Sequence, residues 1–409
     1  MQEKLRGSRL IVVPGIAIAL AVGMVGVFLG SMWLLSMTMP GTSSPLYYSH
    51  PKLIVFGFVY GFIFSVVLVL VPRFRNIYPS HRKALKVSML MTYQVGVLLH
   101  SLWPPHSAPW LLGYVLSLAS SSLFAYYVVR MVGRPSGPLA AADPIISLSS
   151  STAPVTILFS LIAEFGGHNT FLRNGVLLLT LYGVAGSMIF GIGIKTTHFR
   201  IELKVRRRLW ELIAPLLFLS ASAASLSFLF DNLTLELVAL ISYVTTSLLW
   251  IYSVDGLKRV KRGERYNKMN ERDRVRYLFF SAIFVVACIW LIFGGLTGLL
   301  SVVFLELQNS FTFGLRDAFI HSVGIGFIGN IIVAYSPLLL PGLLSAKTPY
   351  RGLSLYPLIL LNSGNLLRVA WFVSGAPKLD GLVLLSVALY LSSVVLIIIM
   401  MIRQISYPC

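Results

Sequence analysis

Long apolar runs recur along the whole chain, and they constrain its fold more than any other feature. A bilayer core about 30 Å thick needs about 20 apolar residues per crossing helix. We therefore predict an all-α polytopic protein of the cell membrane, a bundle of about 12 transmembrane helices that forms a single transmembrane domain over 1–409. The twelve runs, each bounded by charges, Pro or Gly, lie near 11–37, 51–72, 85–103, 109–132, 145–164, 174–194, 210–229, 234–254, 277–300, 315–341, 352–374 and 381–402.

Two of these runs differ from the rest. The fifth, 145–164, fits a span least well, because Ser147 to Thr152 is polar and Pro154 interrupts it. The first lacks a small-residue cleavage site and is too long for a signal peptide, so we expect it to be retained. The composition agrees with a membrane protein, since 56% of residues are hydrophobic, 11% are charged and the mean hydropathy is +0.82. These values exclude a water-soluble globule.

The formal charge of +19 indicates orientation rather than nucleic-acid binding. With the N-terminus inside, 28 of the 33 basic residues lie at inner ends and loops, which predicts that both termini are inside. The longest inner loop, 255–276, carries nine basic and four acidic residues and is expected beside anionic lipid headgroups. Nucleic acid is excluded as a partner because no folded binding module is present. The basic residues left outside are Lys52, Arg173, Arg316, Arg368 and Lys378.

Histidines within the apolar runs are the first candidates for a site, because polar groups in a span are costly. His50 begins the second span, and His321 lies roughly 9 Å inside a helix that starts near Leu315. Neutral imidazole is a good axial ligand for haem iron and also suits copper. We predict His50 and His321 as cofactor and metal ligands, with His100 as a further metal ligand and His106 as a weaker candidate.

Each of these positions has a structural alternative. His50 can be an interfacial residue at a helix start. His321 can hydrogen-bond a neighbouring helix, although the small residues that follow it leave room for a planar group or for close helix packing. These small residues are Gly324, Gly326 and Gly329.

Arg368 is a further candidate because it interrupts the eleventh span, where a guanidinium needs an anion. A haem propionate would satisfy it with paired hydrogen bonds, so we predict Arg368 as a cofactor-binding residue. Snorkelling to the outer interface, or pairing with Glu164 or Asp317, is the alternative.

Two segments resemble a known family. His50–Phe58 reads H-P-K-L-I-V-F-G-F and is similar to the H-x-H-E-x-x-F-G-F motif of NnrS-type proteins. His321–Gly329 reads H-S-V-G-I-G-F-I-G and is similar to their H-x-x-T-x-G-x-I-G segment. These are polytopic membrane proteins that bind haem and copper and are associated with nitric oxide metabolism. The resemblance extends distantly to subunit I of haem-copper oxidases, which has a twelve-helix core.

The resemblance implies haem as a cofactor, with His50 and His321 at the positions of family histidines. Copper is also implied, but Lys52 and Leu343 stand where family members have histidines, and Leu53 stands where the motif has Glu. The paired histidines of an oxidase copper centre are absent from the sequence.

We therefore predict a haem-binding integral membrane protein that resembles NnrS. It would act in nitric oxide or nitrogen-oxide metabolism, in the stress response, or in respiratory electron transfer with a cytochrome or quinone as partner. Two alternatives stay open, namely a membrane anchor subunit of a respiratory cytochrome complex and a 12-span secondary transporter. The sequence leaves open whether the protein turns over a substrate. ATP-driven and hydrolytic signatures are absent.

Overall fold

Helices dominate every part of the chain that the computed structural model describes. The described residues are 2–38, 46–75, 82–133, 140–166, 174–200, 206–257, 264–304, 310–344, 353–374 and 380–406. No β-strand occurs within these ranges, and the predicted all-α class is confirmed.

Each predicted span lies on a long helix. A 3₁₀ turn at Ala140–Ala142 and a short helix at Glu264–Lys268 precede two of the long helices. In chain order the long helices are α1 (Gln2–Thr38), α2 (Leu46–Lys52, Leu53–Tyr60 and Gly61–Phe74), α3 (Lys83–Leu102), α4 (Ala108–Val132), α5 (Asp143–Phe165), α6 (Asn174–Leu178, Leu179–Gly186 and Ser187–Arg200), α7 (Arg207–Phe230), α8 (Leu233–Ser253), α9 (Glu271–Val303), α10 (Ser310–His321, Ser322–Gly329 and Asn330–Leu344), α11 (Tyr356–Ser374) and α12 (Asp380–Ser406).

Ten of these helices are long and apolar enough to cross a membrane, so the protein is a multi-pass membrane protein as predicted. The two predicted spans that fall short of this measure are α3 and α11. Lysines lie at the start of α3, and α11 carries two asparagines and an arginine. Both are nevertheless helices of 20 and 19 residues, about the length that a bilayer crossing requires.

The polar fifth run forms a continuous helix, α5, despite Pro154. Its serines are satisfied inside the protein: the Ser149 hydroxyl donates to the carbonyl of Val184 over 2.7 Å, and the Ser150 hydroxyl donates to the carbonyl of Ile146 over 2.8 Å. A hydroxyl that bonds a backbone carbonyl does not need water, which explains why this stretch can lie in a span.

The helix that carries His321 begins earlier than its hydropathy indicates. The predicted start is near Leu315, whereas α10 is already helical at Ser310. His321 therefore lies about 16 Å from that start rather than 9 Å. The sequence alone suggests a helix entry at the charged pair Arg316 and Asp317. Asp317 is instead only 7% exposed, since its carboxylate has a buried partner.

The backbone contacts divide the chain into two compact units. Unit 1 consists of Met1–Ile192 and Leu217–Ala239, and unit 2 consists of Gly193–Leu216 and Leu240–Cys409. The single transmembrane domain over 1–409 stays a prediction.

Three of the helices contain an eight-residue π-helical segment, in which backbone hydrogen bonds span five residues instead of four. The segments are Leu53–Tyr60 in α2, Leu179–Gly186 in α6 and Ser322–Gly329 in α10, so they recur at every fourth long helix. In the most apolar windows of these helices 89%, 89% and 78% of residues are buried, against at most 56% in the other candidate spans. Such segments are frequent at functional sites, so the side chains beside them are candidates for a site.

Side chains from neighbouring helices donate to backbone carbonyls at these segments. In unit 1 the Tyr93 hydroxyl bonds the carbonyl of Phe56 at 3.0 Å, and the Gln94 amide bonds the carbonyl of Gly57 at 2.9 Å. In unit 2 the Asn365 amide bonds the carbonyl of His321 at 3.3 Å. Side-chain donors of this kind stabilise backbone that departs from regular α-helical pairing.

Candidate functional site

The imidazole of His321 is held by a carboxylate one helical turn before it. Its Nδ1 lies 3.2 Å from Oδ1 of Asp317 and 2.9 Å from the Asp317 carbonyl oxygen. Both oxygens accept, so Nδ1 carries a proton, and a neutral imidazole with its proton on Nδ1 keeps its lone pair on Nε2. No residue in the described part of the chain bonds Nε2. His321 is thus oriented as a metal ligand is, with one ring nitrogen anchored and the other available.

Arg368 on α11 supplies the partner of Asp317. Its Nε donates to Oδ2 at 3.1 Å and its Nη2 donates to Oδ1 at 2.9 Å, a paired geometry between two buried side chains. The guanidinium also lies 5.2 Å from the centre of the Phe372 ring. Of the alternatives that the sequence leaves open for Arg368, pairing with Asp317 is the one observed.

Arg368 belongs to a stripe of three polar side chains that face α10 from α11. Their three-residue spacing places them on one helix face. Asn365 reaches the carbonyl of His321, and its own Oδ1 accepts from the Tyr390 hydroxyl at 2.8 Å. Asn362 exchanges two amide hydrogen bonds with Asn330, at 2.9 and 3.0 Å. We did not predict Asn362 and Asn365 as site residues, although their spacing from Arg368 was a readable signal.

Open space lies beside one of the small residues that follow His321. A Cβ built on Gly324 meets nothing within 4 Å, whereas one on Gly326 would lie 2.4 Å from the ring of Trp290. The sequence allows two roles for these glycines, close packing or room for a planar group. Gly326 has the first role, because it packs against Trp290, and the space beside Gly324 is compatible with the second. An imidazole with one ring nitrogen anchored and the other unbonded within the described residues fits the ligand that haem iron takes.

His50 is anchored in a comparable way within unit 1. Its Nδ1 donates to the carbonyl of Gly26 on α1 over 2.7 Å. The ring lies so close to α1 that a Cβ on Gly30 would come within 2.3 Å of Nδ1. Because His50 and His321 belong to different units, their joint ligation of one iron stays a prediction.

A second polar cluster in unit 1 surrounds Lys52. Its ammonium lies 2.7 Å from the Glu164 carboxylate and donates to the carbonyl of His100 at 3.1 Å. The Trp110 indole donates to the same carboxylate at 3.0 Å. Lys52 and Glu164 are 4% and 8% exposed, so this ion pair is buried within the unit. Of the two acidic residues considered for Arg368, Glu164 therefore pairs with Lys52 instead.

His100 is fully buried and stacks on the ring of Tyr114, with 4.3 Å between the ring centres. Neither of its ring nitrogens has a hydrogen-bond partner among the residues described. His106 lies exposed in the turn after α3 and contacts the rings of Trp110 and Phe165. His81 and His168 lie outside the described residues.

The described residues at two family histidine positions do not fit a copper centre. Within the described ranges, no group of three or more His, Cys, Asp and Glu side chains could hold a metal ion. Lys52, at the position of a family histidine, pairs with the Glu164 carboxylate, and the ammonium of such an ion pair has no lone pair to offer a metal. Leu343, at another such position, is an apolar side chain buried in α10.

Comparison with known proteins places the fold and the family. The whole fold is similar to a haem-copper terminal oxidase, solved as a dimer by cryo-electron microscopy, with a TM-score of 0.64 and 14% sequence identity over 99% of this chain and 84% of that chain. No curated protein matches the sequence. A family model matches residues 200–405, which is half of the 409-residue chain. The chain therefore belongs to the family described as a domain of unknown function, DUF8744.

Proposed function

We propose that this chain is a haem-binding integral membrane protein that transfers electrons in a respiratory chain or in nitrogen-oxide metabolism. The observation that carries the proposal is the state of His321, whose Nδ1 is fixed by Asp317 while Nε2 has no partner in the described residues. An anchored, buried imidazole that presents Nε2 is what haem iron takes as an axial ligand. The oxidase-like fold and the two NnrS-like segments support the same reading.

In this proposal the residues of the chain bind and orient, and haem supplies a centre that changes oxidation state by one electron. Asp317 fixes the tautomer of His321, Arg368 fixes Asp317, and Gly324 leaves space for the flat macrocycle. His50 is the candidate haem ligand of unit 1. An iron with two protein ligands favours electron transfer with a cytochrome or quinone as partner, whereas an iron with one leaves a position for nitric oxide or dioxygen.

The test is the absorption spectrum of protein purified in detergent from cells with adequate haem supply. We expect a Soret band and bound haem in the unsubstituted protein, and loss of both in His321→Ala. His81→Ala is the matched control, since the sequence places His81 in a basic loop of the predicted inner face. Absence of a Soret band from the unsubstituted protein would remove the proposal, as would equal spectral changes in both variants.

His50→Ala separates the two modes of haem binding. If His50 is a ligand of a six-coordinate haem iron, this substitution converts a low-spin spectrum into a high-spin spectrum and allows carbon monoxide to bind. If His50 does not ligate, the spectrum of the variant equals that of the unsubstituted protein, and His321 is the only one of the two that binds.

A secondary transporter is the second candidate, and the buried pair of Lys52 and Glu164 favours it. Paired ionisable groups inside a span are typical of coupling sites in transporters. Substrate uptake by colourless proteoliposomes, lost in Glu164→Gln, would support this candidate against the haem protein. Co-purification with a cytochrome would instead identify an anchor subunit of a respiratory complex.

A further inference from the structure

The hydrogen bonds around His321 form a chain that starts at the imidazole and ends on a buried guanidinium. Nδ1 of His321 meets the Asp317 carboxylate, which Arg368 holds through two bonds of 3.1 and 2.9 Å. The three side chains are at most 11% exposed. Water therefore contributes little to the solvation of this carboxylate, and its orientation is set by Arg368.

The contacts of Arg368 indicate that it acts on a cofactor through Asp317 and not by direct contact. Nε and Nη2 both face Asp317, and the guanidinium packs against the Phe372 ring. A paired Arg–carboxylate contact of this kind is geometrically specific, and a lysine cannot reproduce it. Arg368 thus fixes the carboxylate in the orientation in which it meets His321.

We propose that Asp317, held by Arg368, is a positioning residue for the axial ligand and sets the reduction potential of the iron. This inference rests on the proposed function. Asp317 keeps His321 in the tautomer with the Nε2 lone pair, and its negative charge makes the imidazole a stronger donor. A stronger donor, with an anion one hydrogen bond away, stabilises ferric relative to ferrous iron. Arg368 offsets part of this charge, so the effect is smaller than that of a lone carboxylate.

The polar stripe on α11 also holds the backbone of His321, in addition to its side chain. Asn365 fixes the carbonyl of His321 at the point where α10 enters its π-helical segment, and Tyr390 fixes Asn365. The side chain and the backbone of His321 are therefore both held from α11. A ligand held at two points reorganises little when the iron changes oxidation state, which is the condition for rapid electron transfer.

The test compares two variants in which both members of a buried ion pair are neutralised. In Asp317→Asn with Arg368→Gln the anion is lost, while the amide oxygen introduced at position 317 can still accept from Nδ1. The matched control is Asp143→Asn with Arg75→Gln, a buried pair of unit 1. Arg75 is separated from His50 by the length of α2, about 37 Å at the helical rise. Haem content and the midpoint potential are measured by redox titration in detergent.

We expect the 317/368 variant to have a more positive potential, by at least the roughly 59 mV that corresponds to a tenfold change in a one-electron equilibrium. The 143/75 variant should keep the potential of the unsubstituted protein. Loss of haem from a folded 317/368 variant alone would also support positioning, because partners of a ligating histidine typically contribute about 10- to 100-fold to affinity. An unchanged potential and haem content would overturn the inference.

Should the 317/368 variant not accumulate, Arg368→Lys provides the second test. It retains both charges but loses the paired hold on Asp317. The inference predicts a positive shift smaller than that from loss of the carboxylate, and an unchanged potential contradicts it. Failure of the proposed function looks different, because then the unsubstituted protein binds no haem. The inference fails while the proposed function stands under a different set of results. In that case the unsubstituted protein binds haem and His321→Ala does not, but neither variant of the Asp317–Arg368 pair changes the midpoint potential or the haem content.

Discussion

Asn365 on α11 donates a hydrogen bond to the backbone carbonyl of His321, at the residue where α10 changes from α-helical to π-helical pairing. Its Oδ1 at the same time accepts from Tyr390 on α12. One amide therefore joins three helices of unit 2. The contact explains how an asparagine can lie fully buried in a helix of membrane-spanning length.

Replacing Asn365 by Leu should destabilise the protein. The change removes the donor to His321 and the acceptor for Tyr390, so two buried polar groups lose a partner at about 1–3 kcal/mol each. A lower thermal midpoint in detergent checks this expectation. Leu366→Ala is the control, because Leu366 is on the same helix and is 60% exposed. An equal decrease in the two variants would contradict the role assigned to Asn365.

Gly324 and Gly326 should respond differently to a larger side chain. Gly324→Leu projects into open space, so we expect little loss of stability but a loss of bound haem. Gly326→Ala places a Cβ 2.4 Å from Trp290 and should lower stability, by about 1–3 kcal/mol for an overpacked core. Haem content and thermal midpoint are measured for both. Normal haem binding in Gly324→Leu would show that the open space is not the haem site.

Lys52 and Glu164 should be strongly coupled in a double-mutant cycle. Lys52→Met leaves a buried carboxylate without its ammonium partner, and Glu164→Gln leaves a buried ammonium without an anion. Breaking one side of a buried pair costs about 3–5 kcal/mol. The combined variant should lose less than the sum of the two single variants, as measured by reversible unfolding in detergent. Additive losses would mean that the pair contributes no mutual stabilisation.

Gly30→Ala should affect His50 without removing it. The added Cβ would lie 2.3 Å from Nδ1, so the ring must leave the carbonyl of Gly26. If His50 ligates haem, the absorption spectrum of Gly30→Ala changes in the same direction as that of His50→Ala. Gly381→Ala is the control, because its Cβ meets nothing within 4 Å. An altered spectrum in the control, or none in Gly30→Ala, would count against the assignment.

The fold could be predicted from the sequence to a large extent, because hydropathy alone determines which segments cross a bilayer. Even the polar fifth run forms the expected helix, since its serine hydroxyls bond to backbone carbonyls. Hydropathy predicts the start of α10 too late, near Leu315, because a charged residue such as Asp317 lowers the local hydropathy and is usually exposed to solvent. Its partner, Arg368, is 51 residues away, and such a pairing cannot be read from local composition.

The candidate site was predictable only in part. His321 stands out as an ionisable residue in an apolar run, and its four-residue spacing from Asp317 is visible in the sequence. The π-helical segments were not predictable, because they depend on side-chain donors such as Tyr93 and Gln94 from another helix. The same applies to the stacking of His100 on Tyr114, which requires the packing of α3 against α4.

The ion pair of Lys52 and Glu164 has a consequence for the order in which the protein is made. The two residues are 112 positions apart, so α2 leaves the ribosome with an ammonium whose carboxylate has not yet been synthesised. A lysine costs up to about 3 kcal/mol at the centre of an isolated inserted helix. The α2 lysine must therefore stay at the lipid headgroups or within the translocon until α5 arrives. Helices α2 to α5 are thus the shortest segment of nascent chain that contains both Lys52 and its partner Glu164.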